Sequence, residues 1–492
     1  MKLRQILLLM SLAAVFRAGL GLEKRGYEHD EQISLLTSSC HHLELEAARP
    51  RLEGRWIEAA ELKAFVEAPE HACWGEVRAT LAQLDIHPPL YFWLLHASYL
   101  GVGNEPWVGP ALNGLLAMAT LLVLYLTFRR LDPSRAAGAV TLWAVATGPV
   151  LAAYQARSYG LATLLGWSLL LVDLRARGLV RFLGWVTCIA LLGLTHLQLV
   201  YLPVALFAVR GFEWLRERDR ERRDALIGLG CAGVVALGLV LLVHPAVLEG
   251  AARGLGRGSD AVFEPLRRVE ILSRNLLGFA ISPRIVGRLI STSAPVAALA
   301  VAALAIFAAR RRGWSTERTA RIHRVMGLWL AALALPYLLC WVPEPILRDP
   351  RYLAPLYPWL AWWLAGVWPA RRSAPVLGGL TLVTVVAMIA THRPLEPAQH
   401  AEWVVIDGTK RGWLPGALEA LPDEAQVWWG MPPLEAGWEL PSGRLVWAAG
   451  GASADARAAA FAGLKTAERS PTRVGLSYWV AEPTVAEPTA DE

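Results

Sequence analysis

Apolar residues along the chain gather in long runs, separated by short polar clusters rich in arginine. A run of about 20 mostly apolar residues is long enough to cross a bilayer as a helix. On that measure the pattern predicts spans at roughly 5–22, 107–128, 136–154, 159–174, 182–198, 199–212, 225–244, 289–309, 325–342, 353–369 and 374–391, about eleven in all. The fifth and sixth are short and share a tight turn near Thr195–His196. "HPPLYFWLLHASYLG" is apolar over only about 14 residues, which suits a helix lying in the membrane interface better than a crossing. A stretch at 43–68, with Leu43, Leu45, Ala48, Leu52, Ile57, Leu62 and Phe65, has mixed helical spacing and predicts a surface helix. Beyond residue 391 the pattern changes. Turn signals such as "DG", "PSG" and "GG" separate the strand-like "EWVVID", "AQVWWG" and "GRLVWAA", and "ADARAAAFAGLKTA" reads as a helix. The tail "AEPTVAEPTADE" has the composition of a disordered segment.

Composition agrees with a membrane protein. Of 492 residues, 55% are hydrophobic and only 18% charged, with a mean hydropathy of +0.37, which argues against a soluble enzyme of this length. The 22 tryptophans suit many membrane–water boundaries. A net charge of +6 does not indicate nucleic acid, because the basic residues sit in clusters between apolar runs and no nucleic-acid motif is present. Those clusters include Lys2/Arg4, Arg129/Arg130/Arg135, Arg175/Arg177/Arg181, Arg216 through Arg223, Arg310 through Arg324 and Arg371/Arg372. They fall in every second loop, so the positive-inside rule predicts a cytoplasmic N-terminus. The loops carrying Asp30, Arg157, His196 and Arg351, and the C-terminal region, then face outward. "MKLRQILLLMSLAAVF" resembles a signal peptide but lacks a clear small-x-small cleavage site before Arg17, so a retained first span is expected.

The five cysteines form no metal pattern. Cys188 and Cys231, within apolar runs, are expected to be buried. Cys40 and Cys73 share the first polar loop and can pair if that loop faces an oxidising compartment. His29, His41, His42 and His71 make zinc conceivable, but their spacing is irregular. No cofactor is expected, and a divalent metal has no support in the pattern.

Two adjacent carboxylates, Asp30 and Glu31, stand just after the first span. On a helix they point about 100° apart, so one can face a cavity while the other binds a partner. A partly desolvated carboxylate has the proton affinity of a general base. The same pair also suits the first turn of an interfacial helix, where the dipole favours acids. Arg157 in "YQARSYG", Arg348 and Arg351 in "ILRDPRYLAPLYP", His87 and His196 stand at the outer ends of apolar segments. Each alone reads as a headgroup-facing or capping side chain. Together they suit an anionic lipid headgroup such as a phosphate.

The order of "FRAGLGL…YEHDE", "HPPLYFWLLH", "QARSYGLATLL", "LTHLQLVYLPVAL" and "DPRYLAPLYPWLA" over most of residues 1–370 resembles the GT-C membrane glycosyltransferases, among them bacterial relatives of protein O-mannosyltransferases and aminoarabinose transferases. The resemblance implies Asp30 as catalytic base with Glu31 as its support, and His87 and Arg351 approaching the donor phosphate. Tyr91, Arg157, Tyr159, His196, Arg348 and Tyr352 complete the expected substrate-binding set. Where the family often has an acid before "AR", this chain has Gln155, which puts a second carboxylate in doubt.

The fold expected is therefore an all-α polytopic membrane protein of GT-C type, with interfacial helices in its first outer loop, over residues 1–391. A small extracytoplasmic α/β domain would occupy 392–492. The function expected is transfer of a sugar from a polyprenyl-phosphate donor to an outward-facing protein, lipid or glycan at the inner membrane. The alternative is a transporter or flippase of lipid-linked saccharides, which should carry ionisable or broken-helix sites near the bilayer midplane.

Overall fold

The structure, a computed structural model, describes residues 3–24, 29–256, 265–280, 317–338, 350–367, 370–391, 403–406, 418, 421–429, 445–449, 465–469 and 477–482. Two compact units make up the chain. The first comprises Met1–Gly21, Leu81–Tyr91 and Gly109–Val386; the second comprises Leu22–Thr80, Phe92–Val108 and Ala387–Glu492. The span expected at 289–309, Arg348 and the acidic tail lie outside the described residues.

Numbered along the chain, the helices are α1 (Leu3–Leu22), α2 (His29–Ser38), α3 (His42–Leu52), α4 (Ala59–Lys63), α5 (Trp74–Leu84), α6 (Leu90–Val102), α7 (Val108–Leu131), α8 (Pro133–Val145), α9 (Thr147–Tyr154), α10 (Tyr159–Arg175), α11 (Gly178–Gly193), α12 (Tyr201–Glu217), α13 (Arg220–Val243), α14 (Val247–Gly256), α15 (Pro265–Leu277), α16 (Glu317–Leu338), α17 (Tyr357–Val367) and α18 (Ala370–Thr391). Short 3₁₀ turns occupy Ala64–Val66, Leu197–Val200 and Pro350–Leu356.

Among the described residues, α7 and α13 are long and apolar enough to cross a membrane, and the bent pair α8–α9 is a third candidate. Helix α13 leaves Ile227, Val234, Val235, Leu237, Leu239 and Leu242 exposed, an apolar surface of the kind that lipid solvates. Cys231 shares this exposure, contrary to expectation, whereas Cys188 is buried. An apolar run does not by itself distinguish a lipid-facing side chain from a core one. The remaining expected spans α10, α11, α12, α16, α17 and α18 are helical but shorter or less apolar.

The single span expected at 136–154 is broken at Ala146, and its halves bend by 52°. The break frees backbone groups that neighbouring elements satisfy, as an apolar setting requires. Thr381 donates to the Val145 carbonyl at 2.7 Å, and the Gly148 amide donates to the Phe279 carbonyl at 3.1 Å. Gly148 is needed here because a Cβ would lie 2.5 Å from the Tyr357 ring. Charged pairs tie helix ends together. Arg210 of α12 donates to Asp173 of α10 at 2.7 Å, and Arg321 and Arg324 of α16 both donate to Glu213 of α12.

The second unit contains a six-stranded sheet, β1 (Trp56–Glu58), β2 (Trp403–Ile406), β3 (Gln426–Trp429), β4 (Leu445–Ala449), β5 (Lys465–Arg469) and β6 (Ser477–Glu482). Its order is β1-β3-β2-β4-β6-β5. Strand β2 runs parallel to β3 and β4, and the outer pairings are antiparallel. Val404 stands opposite Val427 on one side and Val446 on the other. Two sequence expectations are corrected here. The helix expected through 43–68 ends at Leu52, and Ile57 enters β1 opposite Val427, where it is buried. Of the helix expected over "ADARAAAFAGLKTA", Lys465, Thr466 and Ala467 instead belong to β5, because β6 supplies an antiparallel partner, and the rest lies outside the described residues.

Candidate functional site

In the first unit, the connections α5–α6, α9–α10 and α11–α12 and the 3₁₀ turn at Pro350–Leu356 bring polar side chains together. The prolines at 88 and 89 prevent α6 from starting before Leu90, which leaves Asp85, Ile86 and His87 in irregular backbone. Asp85 Oδ1 accepts from the Ile86 amide at 2.6 Å and from His87 Nδ1 at 2.8 Å. With its Nδ1 proton so engaged, His87 presents an Nε2 lone pair, which accepts from Arg157 Nη2 at 3.2 Å. Burial alone would raise the Asp85 carboxyl, but the His87 contact and the Arg157 charge outweigh it and hold it well below the ordinary carboxylate range.

His196 caps the Leu197–Val200 turn by accepting from the Gln198 amide at Nδ1, 3.4 Å away. Its proton therefore resides on Nε2, which is buried and has no hydrogen-bond partner among the described residues. Burial first, and then the neighbouring His87 and Arg157, push this imidazole well below its ordinary value, so it is a neutral donor. Its ring lies 5.5 Å from that of His87 and 5.9 Å from that of Tyr159. Tyr352 packs edge-on against Tyr159 at 5.6 Å. The Arg351 guanidinium lies 5.7 Å and 5.8 Å from the ring centres of Tyr159 and Tyr352, and its Nη1 donates to Gln155 Oε1 at 3.4 Å. Trp167 Nε1 anchors this turn by donating to the Pro355 carbonyl at 3.0 Å.

Asn113, a buried amide on α7, holds the Gln155–Arg157 bend. Its Nδ2 donates to the Gln155 carbonyl, to the Arg157 carbonyl at 3.2 Å and to the Tyr91 hydroxyl at 3.3 Å. Thus His87, Tyr91, Arg157, Tyr159, His196, Arg351 and Tyr352, all expected from the sequence, belong to one connected cluster. Asp85 and Asn113 were missed. An acid two residues before the histidine in "DIHPP" and an asparagine inside an apolar run were the signals for them.

Asp30 and Glu31 belong to the second unit. They form the first turn of α2, with Glu31 fully buried and paired to the buried Lys24 ammonium, and Asp30 partly exposed. Cys40 and Cys73 in the same unit are joined by a disulfide with Cα atoms 6.4 Å apart. His96 lies against it, and these three residues are grouped closely enough to hold a metal ion. They do not fit one. The disulfide uses both sulfurs, His96 Nδ1 donates to the Ser38 carbonyl at 2.8 Å, and its Nε2 accepts from the Cys73 amide at 3.1 Å.

Neither a family model nor a curated protein matches the chain. Among solved structures, ArnT from Cupriavidus metallidurans bound to undecaprenyl phosphate aligns over 98% of this chain and 98% of its own, with a TM-score of 0.52 and 14% identity. The same ArnT in the apo state aligns over 89% of this chain and 96% of its own, with a TM-score of 0.47 and 15% identity. This chain shares the fold of ArnT. The GT-C resemblance read from the sequence therefore extends, as a fold, over nearly the whole chain. Within this ArnT-like fold Gln155 is not an unpaired relic of a missing acid, because it is bonded to Arg351.

Proposed function

We propose that the protein is a multi-pass membrane glycosyltransferase of the inner membrane. It transfers a sugar from a polyprenyl-phosphate donor to an acceptor on the extracytoplasmic side, with the N-terminus cytoplasmic. The observation that carries this reading is the convergence of Arg157, Arg351, His87 and the His196 N–H, unpartnered among the described residues, around Tyr159 and Tyr352. Two guanidiniums beside neutral donors suit a phosphate ester, and tyrosine faces suit a sugar ring. The ArnT structure of like fold was solved with undecaprenyl phosphate bound, which supports the same class of ligand here.

In this reaction an acceptor O–H or N–H attacks the anomeric carbon of the donor. The bond from that carbon to the phosphate oxygen breaks, and the phosphate departs with the electron pair. Arg157 and Arg351 stabilise the charge that accumulates on it. The GT-C resemblance supports Asp30 as the base that takes the acceptor proton. The donor is already activated, so the chemistry requires no nucleotide.

The test is incubation of the purified protein in lipid nanodiscs with a panel of polyprenyl-phosphate sugars. Asp30→Asn should abolish transfer and leave undecaprenyl phosphate binding intact. Undiminished donor binding by the double variant Arg157→Ala/Arg351→Ala would overturn the assignment of the phosphate site.

A further inference from the structure

We propose that Asp85 is a positioning residue that turns His87 into a proton-accepting grip, so that binding of the carrier-lipid phosphate is coupled to uptake of one proton at His87 Nε2. This rests on the lipid-phosphate reading above and deepens it.

Asp85 is fixed by the Ile86 amide at 2.6 Å and takes the His87 Nδ1 proton at 2.8 Å. The opposite nitrogen then carries a lone pair, and Arg157 Nη2 donates into it at 3.2 Å. A phosphate oxygen drawn to Arg157 meets that lone pair as a second acceptor, and two acceptors repel. The conflict is removed when His87 Nε2 binds a proton. Arg157 then transfers its N–H from the imidazole to the phosphate, and His87 donates its new N–H to the same phosphate. The balance is one proton taken from solvent, with no covalent bond made or broken.

The surroundings decide whether an imidazolium is tolerated there. Among the described residues, those seen to face His87 include Asp85 from its own connection, Arg157 from the α9–α10 bend and His196 from the α11–α12 turn. Arg157 opposes a second cation, and Asp85 opposes that effect from 2.8 Å. Once phosphate occupies the site, the imidazolium lies between two anions. His196 does not compete for the proton, because its Nδ1 is engaged by the Gln198 amide and its Nε2 already carries hydrogen. It serves as a fixed neutral donor instead.

The experiment is calorimetric titration of the full-length protein in nanodiscs with undecaprenyl phosphate at about pH 8, where an ordinary imidazole is neutral. Buffers of different ionisation enthalpy report the protons exchanged. The wild type should take up close to one proton per lipid. His87→Lys, which supplies a permanent cation, should bind the lipid with no uptake. Asp85→Asn, which removes the charged acceptor at Nδ1, should bind about tenfold more weakly, the value of one charge-assisted contact. Thermal melts of each variant establish that it is folded. Equal uptake by wild type and His87→Lys would place the proton on the phosphate and overturn the proposal. Absence of saturable binding by the wild type would instead remove the lipid-phosphate reading, and the coupling with it.

Discussion

Arg351 Nη1 donates to Gln155 Oε1 at 3.4 Å, and the Gln155 backbone is itself held by Asn113. The amide orients the guanidinium without cancelling its charge. A carboxylate in the same place would do both. Gln155→Glu should therefore weaken binding of undecaprenyl phosphate by about tenfold, the value of one charge-assisted contact. Titration of the lipid into both proteins checks this. An unchanged affinity would mean that Arg351 does not meet the phosphate.

Asn113 holds the bend that carries Arg157. Asn113→Leu keeps the branched shape but removes a donor to the Gln155 and Arg157 carbonyls. Each lost hydrogen bond costs about 0.5–1.5 kcal/mol. The variant should show a lower melting temperature together with weaker lipid binding. A mutation that only loosened helix packing would lower the first and spare the second.

Much of the first unit was readable because its apolar runs are long and end in single polar residues. His87, Arg157, His196 and Arg351 each interrupt such a run, which is why they could be named from spacing and charge. What connects them was not readable. The Asp85–His87 bond depends on the backbone path through Ile86, and the Asn113 contacts join α7 to a bend more than 40 residues away. Strand β1 is three residues long, and its partner β3 begins at Gln426. No local period can report such a pairing. The break at Ala146 was signalled by "TGP", but the apolar run continues through it, and the contacts that stabilise it come from Thr381 and Phe279.

Lys24 and Glu31 form an ion pair whose side chains are 1% and 0% exposed. Removing one partner takes the ion pair from a charge that stays buried. Lys24→Met should cost about 3–5 kcal/mol, whereas the double variant Lys24→Met/Glu31→Leu should recover much of that loss. Denaturant melts of the single and double variants measure the difference. If Glu31 also supports Asp30, the stable double variant will still lose turnover.

The Cys40–Cys73 disulfide closes a loop with a sequence separation of 33 and packs on His96. The chain-entropy estimate for a loop of this length is about 4 kcal/mol. Cys40→Ala/Cys73→Ala should lower the stability of the second unit by about that amount. Non-reducing peptide mapping and thermal melts with and without reductant provide the check. A melt insensitive to reductant would show that the cross-link contributes nothing to the folded unit.

The buried His196 makes a prediction about pH. Its folded-state pKa is depressed, first by burial and then by the neighbouring His87 and Arg157. A histidine of this kind binds its proton more readily in the unfolded chain than in the native one. The unfolded state therefore holds more protons, and stability falls as pH falls. The loss begins near the ordinary imidazole value of about 6.5 and continues downward until the native His196 itself titrates. His196→Asn keeps an acceptor for the Gln198 amide but cannot take up the proton, so its melting temperature should vary less between about pH 7 and pH 5 than that of the wild type. The Asp85 carboxyl, also depressed, contributes stability that is present above its ordinary value of about 3.9 and is lost below it, so it does not account for a slope in this interval. Identical slopes in the two proteins would show that His196 is not buried as a neutral imidazole, and with that the fixed donor of the proposed phosphate site would be lost.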